Sequence, residues 1–203
     1  MHSFKHQNII GHPVVFFYNK KRIIPKYSNI MDCGACIGKF TLELMKIQRG
    51  KYYLYEPNTN LYTYLMSNFS EIAQIYNMAI DSKLGTKSFY IGNIKKSSSL
   101  LSSHRNLSGE KYEVDTTTID TELKNIKNID LLKLDIEGSE IDVIQQLTSS
   151  TLNHINQITV EYHLQCNINN YTIDDIYKCD NHLEKNGFIK LIGDTDNVCY
   201  IKE

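Results

Sequence analysis

Short apolar runs alternate with longer amphipathic ones from Ser28 onward, and the first alternation turns on glycine. Asn29-Ile30-Met31-Asp32 runs into Cys33-Gly34-Ala35-Cys36-Ile37-Gly38, after which Phe40, Leu44, Met45 and Ile47 recur at helical spacing up to Gly50. A second strand, Tyr52–Tyr55, closes on Glu56-Pro57, where proline suits the first turn of a helix striped by Leu61, Tyr64 and Leu65. Ile72–Ile80 reads as a third strand. Thr86–Ile91 reads as a strand outside the alternation, leading into the polar segment Gly92–Gly109, the candidate loop or lid. Ile129–Asp135 is a fourth core strand, and Glu137-Gly138-Ser139-Glu140 opens a helix carried by Ile141, Ile144 and Leu147. Ile155–His163 is a fifth strand, Ile173–Glu184 a helix, and Phe188–Ile192 with Val198–Ile201 a closing pair around a turn at Asp194–Asn197. The βαβ rhythm predicts an α/β, Rossmann-like fold: a central seven-stranded, mostly parallel sheet with helices on both faces. Val14–Tyr18 and Arg22–Ile24 place a small β extension over residues 1–27, before a core at 28–203, in a chain of 203 residues suited to a single domain.

Composition removes several classes. A hydrophobic fraction of 41% and a charged fraction of 22% are those of a folded globular domain. Lys plus Arg number 22 against 23 Asp plus Glu, so no global field draws in nucleic acid or anionic lipid. The runs Lys20-Lys21-Arg22 and Lys95-Lys96 read as solvated surface. No run approaches the roughly 18 apolar residues that span a bilayer, and Met1–His6 lacks the apolar centre of a secretory signal, so a cytoplasmic location without membrane association is expected. Cys33, Cys36, Cys166, Cys179 and Cys199 are odd in number and dispersed, as reduced thiols are. Cys33-x-x-Cys36 has no second ligand pair at structural-zinc spacing, and zinc is not expected.

A strand that ends on an acid and passes through Gly34 and Gly38 into a helix brings backbone N–H groups beside a ligand, the geometry that nucleotide-like cofactors use. The dinucleotide pattern G-x-G-x-x-G fails, because Cys36 and Lys39 stand at two of its three glycine positions. The phosphate-loop pattern fails as well, since Phe40 follows Gly38-Lys39. Glu56 closes the second strand where a carboxylate can accept both hydroxyls of an adenosine ribose. S-adenosylmethionine meets this set without a pyrophosphate.

The chain from about Asn29 to His163 resembles the FkbM family of S-adenosylmethionine-dependent methyltransferases. Asp32-Cys33-Gly34-Ala35-Cys36-Ile37-Gly38-Lys39-Phe40-Thr41 looks like the family's D-x-G-A-N-x-G-x-[FY]-[ST], with Cys36 where the family usually has asparagine. Glu56-Pro57 with Leu65 and Asn68 is similar to its E-P-x(n)-L-x-x-N, and Asn77-Met78-Ala79-Ile80 to its N-x-A segment. Ser98-Ser99-Leu100 and Thr117-Thr118-Ile119-Asp120 match S-S-[LM] and T-x-[LI]-D. Ile129–Glu140 and Glu161-Tyr162-His163 match I-D-x-[LI]-K-[LI]-D-[IV]-E-G-x-E and E-x-H. The resemblance implies a cofactor held by Asp32, Gly34, Ala35, Cys36, Gly38, Phe40, Thr41, Glu56, Pro57, Asn77, Ala79 and Asp135. It also implies O-methylation of a small molecule, most often a sugar hydroxyl on a glycan, nucleotide sugar or natural product.

Lys133, Asp135 and Glu137 alternate along the fourth strand and its exit, and Glu161 and His163 along the fifth, so each set projects to one side. Both lie at the carboxyl ends of neighbouring parallel strands, where open α/β sheets build their sites. Methyl transfer to a hydroxyl needs in-line alignment and removal of the hydroxyl proton. Asp135 is expected to orient the reacting groups and His163, whose pKa lies nearest neutral, to act as general base. Lys133 reads equally as the partner of a structural ion pair with Glu161 or Asp135. Magnesium held by Asp135, Glu137 and Glu161 is conceivable but not expected. His104 and Arg105, in the polar segment, are weaker substrate contacts. Two rival readings stand: a nucleic-acid 2′-O-methyltransferase, and a cofactor-binding protein that has lost turnover.

Overall fold

The structure is a computed structural model, and it describes residues 4–93, 98–102, 107–164, 171–193 and 196–203. Lys95-Lys96, Ser97, His104, Arg105, Cys166, Asp194 and Thr195 lie outside the described residues.

The chain opens with an antiparallel sheet of β1 (Phe4–Ile9), β2 (His12–Tyr18) and β3 (Lys21–Arg22). It then enters β4 (Tyr27–Cys33), α1 (Lys39–Met45), β5 (Arg49–Tyr55), α2 (Thr59–Phe69), β6 (Gln74–Tyr76) and β7 (Ala79–Ile80). An antiparallel pair follows, β8 (Gly85–Gly92) with β9 (Leu107–Thr117), and then α3 (Ile119–Ile126), β10 (Leu131–Leu134), α4 (Glu140–Gln146) and α5 (Ser149–Leu152). The chain ends with β11 (Gln157–Glu161), α6 (Ile173–Lys185), β12 (Phe188–Gly193) and β13 (Asn197–Lys202).

The central sheet has seven strands in the order β12-β13-β11-β10-β4-β5-β6, parallel throughout except for β13, which runs against both its neighbours. The strand order reverses between β4 and β10, at the centre, which is where such sheets open a crevice for a ligand. All of Leu131–Leu134 is buried, as expected of a parallel strand covered on both faces. Alternate residues feed two cores: Met31, Leu132, Leu134, Ile158 and Val160 on one face, and Ile30, Leu54 and Leu131 with Phe40, Leu44 and Phe69 on the other. Each fully buried large side chain contributes about 1.5–3 kcal/mol, an upper figure for a denatured chain that is already partly collapsed.

Helix starts follow local chemistry. The Asn58 side chain accepts from the N–H groups of Asn60 and Leu61 at the head of α2, and Thr118 accepts from Thr121 at the head of α3. Thr172 and Asp175 form a reciprocal capping box on α6.

Three expectations change. The run Ile72–Ile80 divides: β6 joins the central sheet, whereas β7 leaves it to pair with β9. The partner of the Thr86–Ile91 strand is β9, whose first residues fall in the segment expected to be a loop. Strand β9 carries few apolar residues, and Lys111, Glu113 and Asp115 alternate outward against half-buried or buried Tyr112, Val114 and Thr116, so it presents one thin apolar face. Helices α3 and α5 are short, and the sequence reading did not assign them. The N-terminal strands also do more than precede the core. Val15 donates its N–H to Gln157 Oε1 of β11 at 3.0 Å, and Val15 and Tyr18 pack on Cys199 and Ile201 of β13. Among the described residues no helix is long and apolar enough to cross a membrane.

Candidate active site

Gly34 begins the turn after β4 at φ 76, and any side chain there would run into the carbonyl oxygen of Asp135 on the neighbouring strand. Only glycine lets the two strand ends close up. Gly38, at φ 75, heads α1, and a Cβ there would meet the Phe69 ring of α2. Four backbone donors of the turn are engaged within the protein: Gly34 and Ala35 donate to Tyr55 O, Gly38 to Ala35 O, and Cys36 to Glu56 Oε2 at 2.8 Å. The expectation that these N–H groups face a ligand is therefore corrected. What the turn offers is a wall of Gly34, Ala35, Cys36 and Ile37 beside the Glu56 carboxylate.

Glu56 is buried, and its other oxygen accepts from the Asn58 N–H at 2.8 Å. Burial raises its pKa to about 7, against the pull of the Asn58 and Cys36 N–H groups. Asn77 stands behind it, donating to the carbonyls of Glu56 and Pro57. Asp32 and Thr41 are fully buried: Thr41 Oγ1 donates to Asp32 Oδ2 at 2.7 Å, and Lys133 Nζ lies 3.0 Å from Asp32 Oδ1. Asp32, Thr41, Gly38 and Asn77 thus brace the cofactor end from behind. Gly34, Ala35, Cys36, Phe40, Glu56, Pro57 and Ala79 line the cleft itself.

At the other end of this cleft of about 290 Å³, near the lower bound for small-ligand sites, stand Lys133, Asp135, Glu137, Glu161 and His163. Lys133 faces Asp32 across the β10–β4 register and donates to Gly34 O at 2.9 Å, with Asp135 Oδ2 3.3 Å away. Burial opposes its charge, but Asp135 and Asp32 outweigh burial and hold Lys133 protonated, above its ordinary value. Burial likewise opposes ionisation of Asp135, yet Lys133, His12 and His163 keep its carboxyl well below the usual range. Lys133 is both a structural partner of Asp32 and a wall of the cleft.

His163 presents Nδ1 to Glu140 Oε1 at 2.8 Å, and Glu140 is fixed in turn by the N–H groups of Ile136 and Gly138. Its Nε2 lies 3.6 Å from Glu137, 3.7 Å from Asp135 and 3.9 Å from Glu161. Burial disfavours the imidazolium, but Glu140, Glu137 and Asp135 raise the pKa to about 10. A ring protonated at neutral pH cannot accept a proton, so the expected base role of His163 does not fit its surroundings. Glu137 fits better. Its pKa is raised to about 7, first by burial and then by Asp135, Glu140 and Glu161, against the pull of His163. Its backbone is left-handed, at φ 59, and its carbonyl accepts from buried Ser99 Oγ at 2.6 Å.

Three residues enter that sequence reasoning did not place here. Ser99 and Glu140 stood inside motifs without a role, and their only signal was that position. His12 gave no signal, being one polar residue at the head of an apolar run. It is buried, its Nε2 is 3.4 Å from Asp135 and 3.9 Å from Glu161, and its ring meets Phe40 edge-on at 5.5 Å. His12, Asp135 and Glu161, and likewise Asp135, Glu137 and His163, bring ligand-type atoms within 4.8 Å of one another. The Lys133 ammonium supplies positive charge at Asp135.

The profile of the methyltransferase FkbM domain matches residues 32–190. The chain belongs to the FkbM methyltransferase family. The family match thus covers the glycine turn, Glu56 and both strand ends of the acidic cluster, and leaves β1–β3 outside it. Among solved structures, an FkbM methyltransferase from Methylobacillus flagellatus is similar at 16% identity and a TM-score of 0.55, over 87% of this chain and 44% of that one. The chain therefore spans less than half the length of that FkbM relative. A fibrillarin pre-rRNA processing protein from Methanococcus jannaschii is similar at 13% identity and a TM-score of 0.54, over 91% of this chain and 70% of that one. At these identities the likeness is one of fold, that of class I methyltransferases. No curated protein matches the chain.

Proposed function

We propose that this protein is an S-adenosylmethionine-dependent O-methyltransferase whose acceptor is a hydroxyl of a small molecule, a sugar in a glycan or nucleotide sugar. The observation that carries the reading is one cleft with a glycine-containing turn and a buried acid at one end and a base poised near neutrality at the other. The family to which the chain belongs supports the reaction class. Near-zero net charge supports a small acceptor over a nucleic acid.

The residues fit the cofactor. Glu56 retains lone pairs beyond its two backbone bonds, and Ala35 lines the cleft with a small side chain. When bound, S-adenosylmethionine supplies an electrophilic methyl group on a cationic sulfur. Glu56 would take the ribose hydroxyls, and Ala79, Ile80 and Leu61 would cover the base. Ionised Asp135, with Glu161 near it, would favour a cationic donor. Glu137 would take the hydroxyl proton, and His163, protonated and held by Glu140, would steady the carboxylates around it.

Calorimetric titration with S-adenosylmethionine and S-adenosylhomocysteine, beside NAD and ATP, tests the cofactor. Micromolar binding of the first pair, lost in Glu56→Ala, supports it. A preference for NAD or ATP, or no binding, overturns it. Binding without transfer of a labelled methyl to any hydroxyl acceptor would instead favour a protein that holds the cofactor without turnover.

A further inference from the structure

Strands β1 and β2 are joined by two residues only, Ile10 and Gly11, with Ile9 paired to His12 across the ladder. Both linking residues have positive φ, 51 at Ile10 and 89 at Gly11, the type I′ arrangement that favours Asn-Gly or Asp-Gly. A β-branched residue at the first of these positions is a genuine outlier. Burial offers no compensation, because Ile10 is 52% exposed. The side chain nonetheless lines the cleft, on the same hairpin as His12, whose Nε2 approaches Asp135 and Glu161. An isoleucine that suits neither its backbone nor solvent, yet faces a ligand site, points to a role toward the ligand.

We propose that Ile10 is a specificity-determining residue for the acceptor: it gives an apolar platform to the C–H face of a sugar ring whose hydroxyls reach Glu137 and Glu161. This rests on the sugar O-methyltransferase reading above. A sugar matches the chemistry because it has one apolar face and a hydroxylated edge, and one cleft here is lined by both an exposed aliphatic residue and carboxylates. His12 backs the platform by closing the gap between the hairpin and Asp135. Residues 10–12 precede the part matched by the family profile.

The test uses the full chain with Ile10→Asn and Ile10→Ala, and labelled methyl transfer to methyl glycosides of neutral hexoses and deoxyhexoses, a nucleotide sugar, catechol and a short RNA oligonucleotide. Asparagine suits the turn, so Ile10→Asn should raise the melting temperature by about 2–4 °C. S-adenosylhomocysteine affinity should stay within about twofold in both variants, while the KM for the sugar rises about tenfold or more at near-constant kcat. Sugar transfer with an unchanged KM in both variants overturns the role of Ile10 and leaves the enzyme reading intact. Transfer to RNA or catechol alone, or to nothing, overturns the sugar reading and this proposal together. An Ile10→Asn chain less stable than the native one overturns the strain argument.

Discussion

Glu137 combines a left-handed backbone, a pKa near neutrality and a place in the cleft, and each has a separate cause: Ser99 on its carbonyl, burial among carboxylates, and the exit of β10. As a base it must be ionised, so kcat should rise with pH through about 7, and Glu137→Gln should flatten that limb and lower kcat about a hundredfold or more. S-adenosylhomocysteine affinity, measured alongside, should not move. His163 gives a stability prediction of the opposite slope. Its pKa goes from 6.5 to about 10 on folding, so its stabilisation is full below about pH 6.5 and is lost as pH climbs through about 10. Urea midpoints between pH 7 and pH 10 should fall in the native chain and fall less in His163→Gln. Cys36, at φ 53, holds a left-handed position that asparagine tolerates better, so Cys36→Asn should gain about 0.5–1 kcal/mol in denaturant unfolding.

The elements meet through small residues and single hydrogen bonds. Gly34 lets the turn after β4 lie against the end of β10, and Gly34→Ala combines backbone strain with a collision against a main-chain oxygen, which no rotamer can relieve. A loss of at least about 3 kcal/mol, or failure to fold, is expected. Gly38→Ala meets a ring that can shift, so its cost should be smaller, and thermal unfolding of the two variants side by side checks that order. Ser99 ties the segment after β8 to the loop before α4. Ser99→Ala should lower kcat and displace the Glu137 limb of the pH profile while cofactor binding persists; an unchanged profile would show that the bond serves only the fold.

At the scale of the whole molecule, net charge bears on the proposed acceptor. With a formal charge of −1, turnover of the acceptor should change little between about 50 and 200 mM salt, whereas phosphate contacts would give a steep decline in the same assay. Much of the architecture is local in origin and was legible in the sequence. The apolar runs at Asn29–Asp32 and Ile129–Asp135, the glycines between strand and helix, and the alternation of Lys133, Asp135 and Glu137 each follow from the periodicity of a single segment. Strand β9 escaped that reading because a strand with one thin apolar face differs little from a polar loop until β8 lies beside it. The base assignment changed for a related reason. A reference pKa favours His163, but Asp135, Glu137 and Glu140, all at the exit of β10, meet it across from the end of β11, keep it charged and leave Glu137 near neutrality. His12 stands far from Asp135 in sequence and reaches it, as Ile10 reaches the cleft, because β2 packs onto β11 and β13. The sequence alone determined the fold class and the family's site motifs, since both rest on short-range pattern. Tertiary structure decided which charges share one cleft and which side chains wall it, because burial and Coulomb interaction depend on distance in space rather than along the chain.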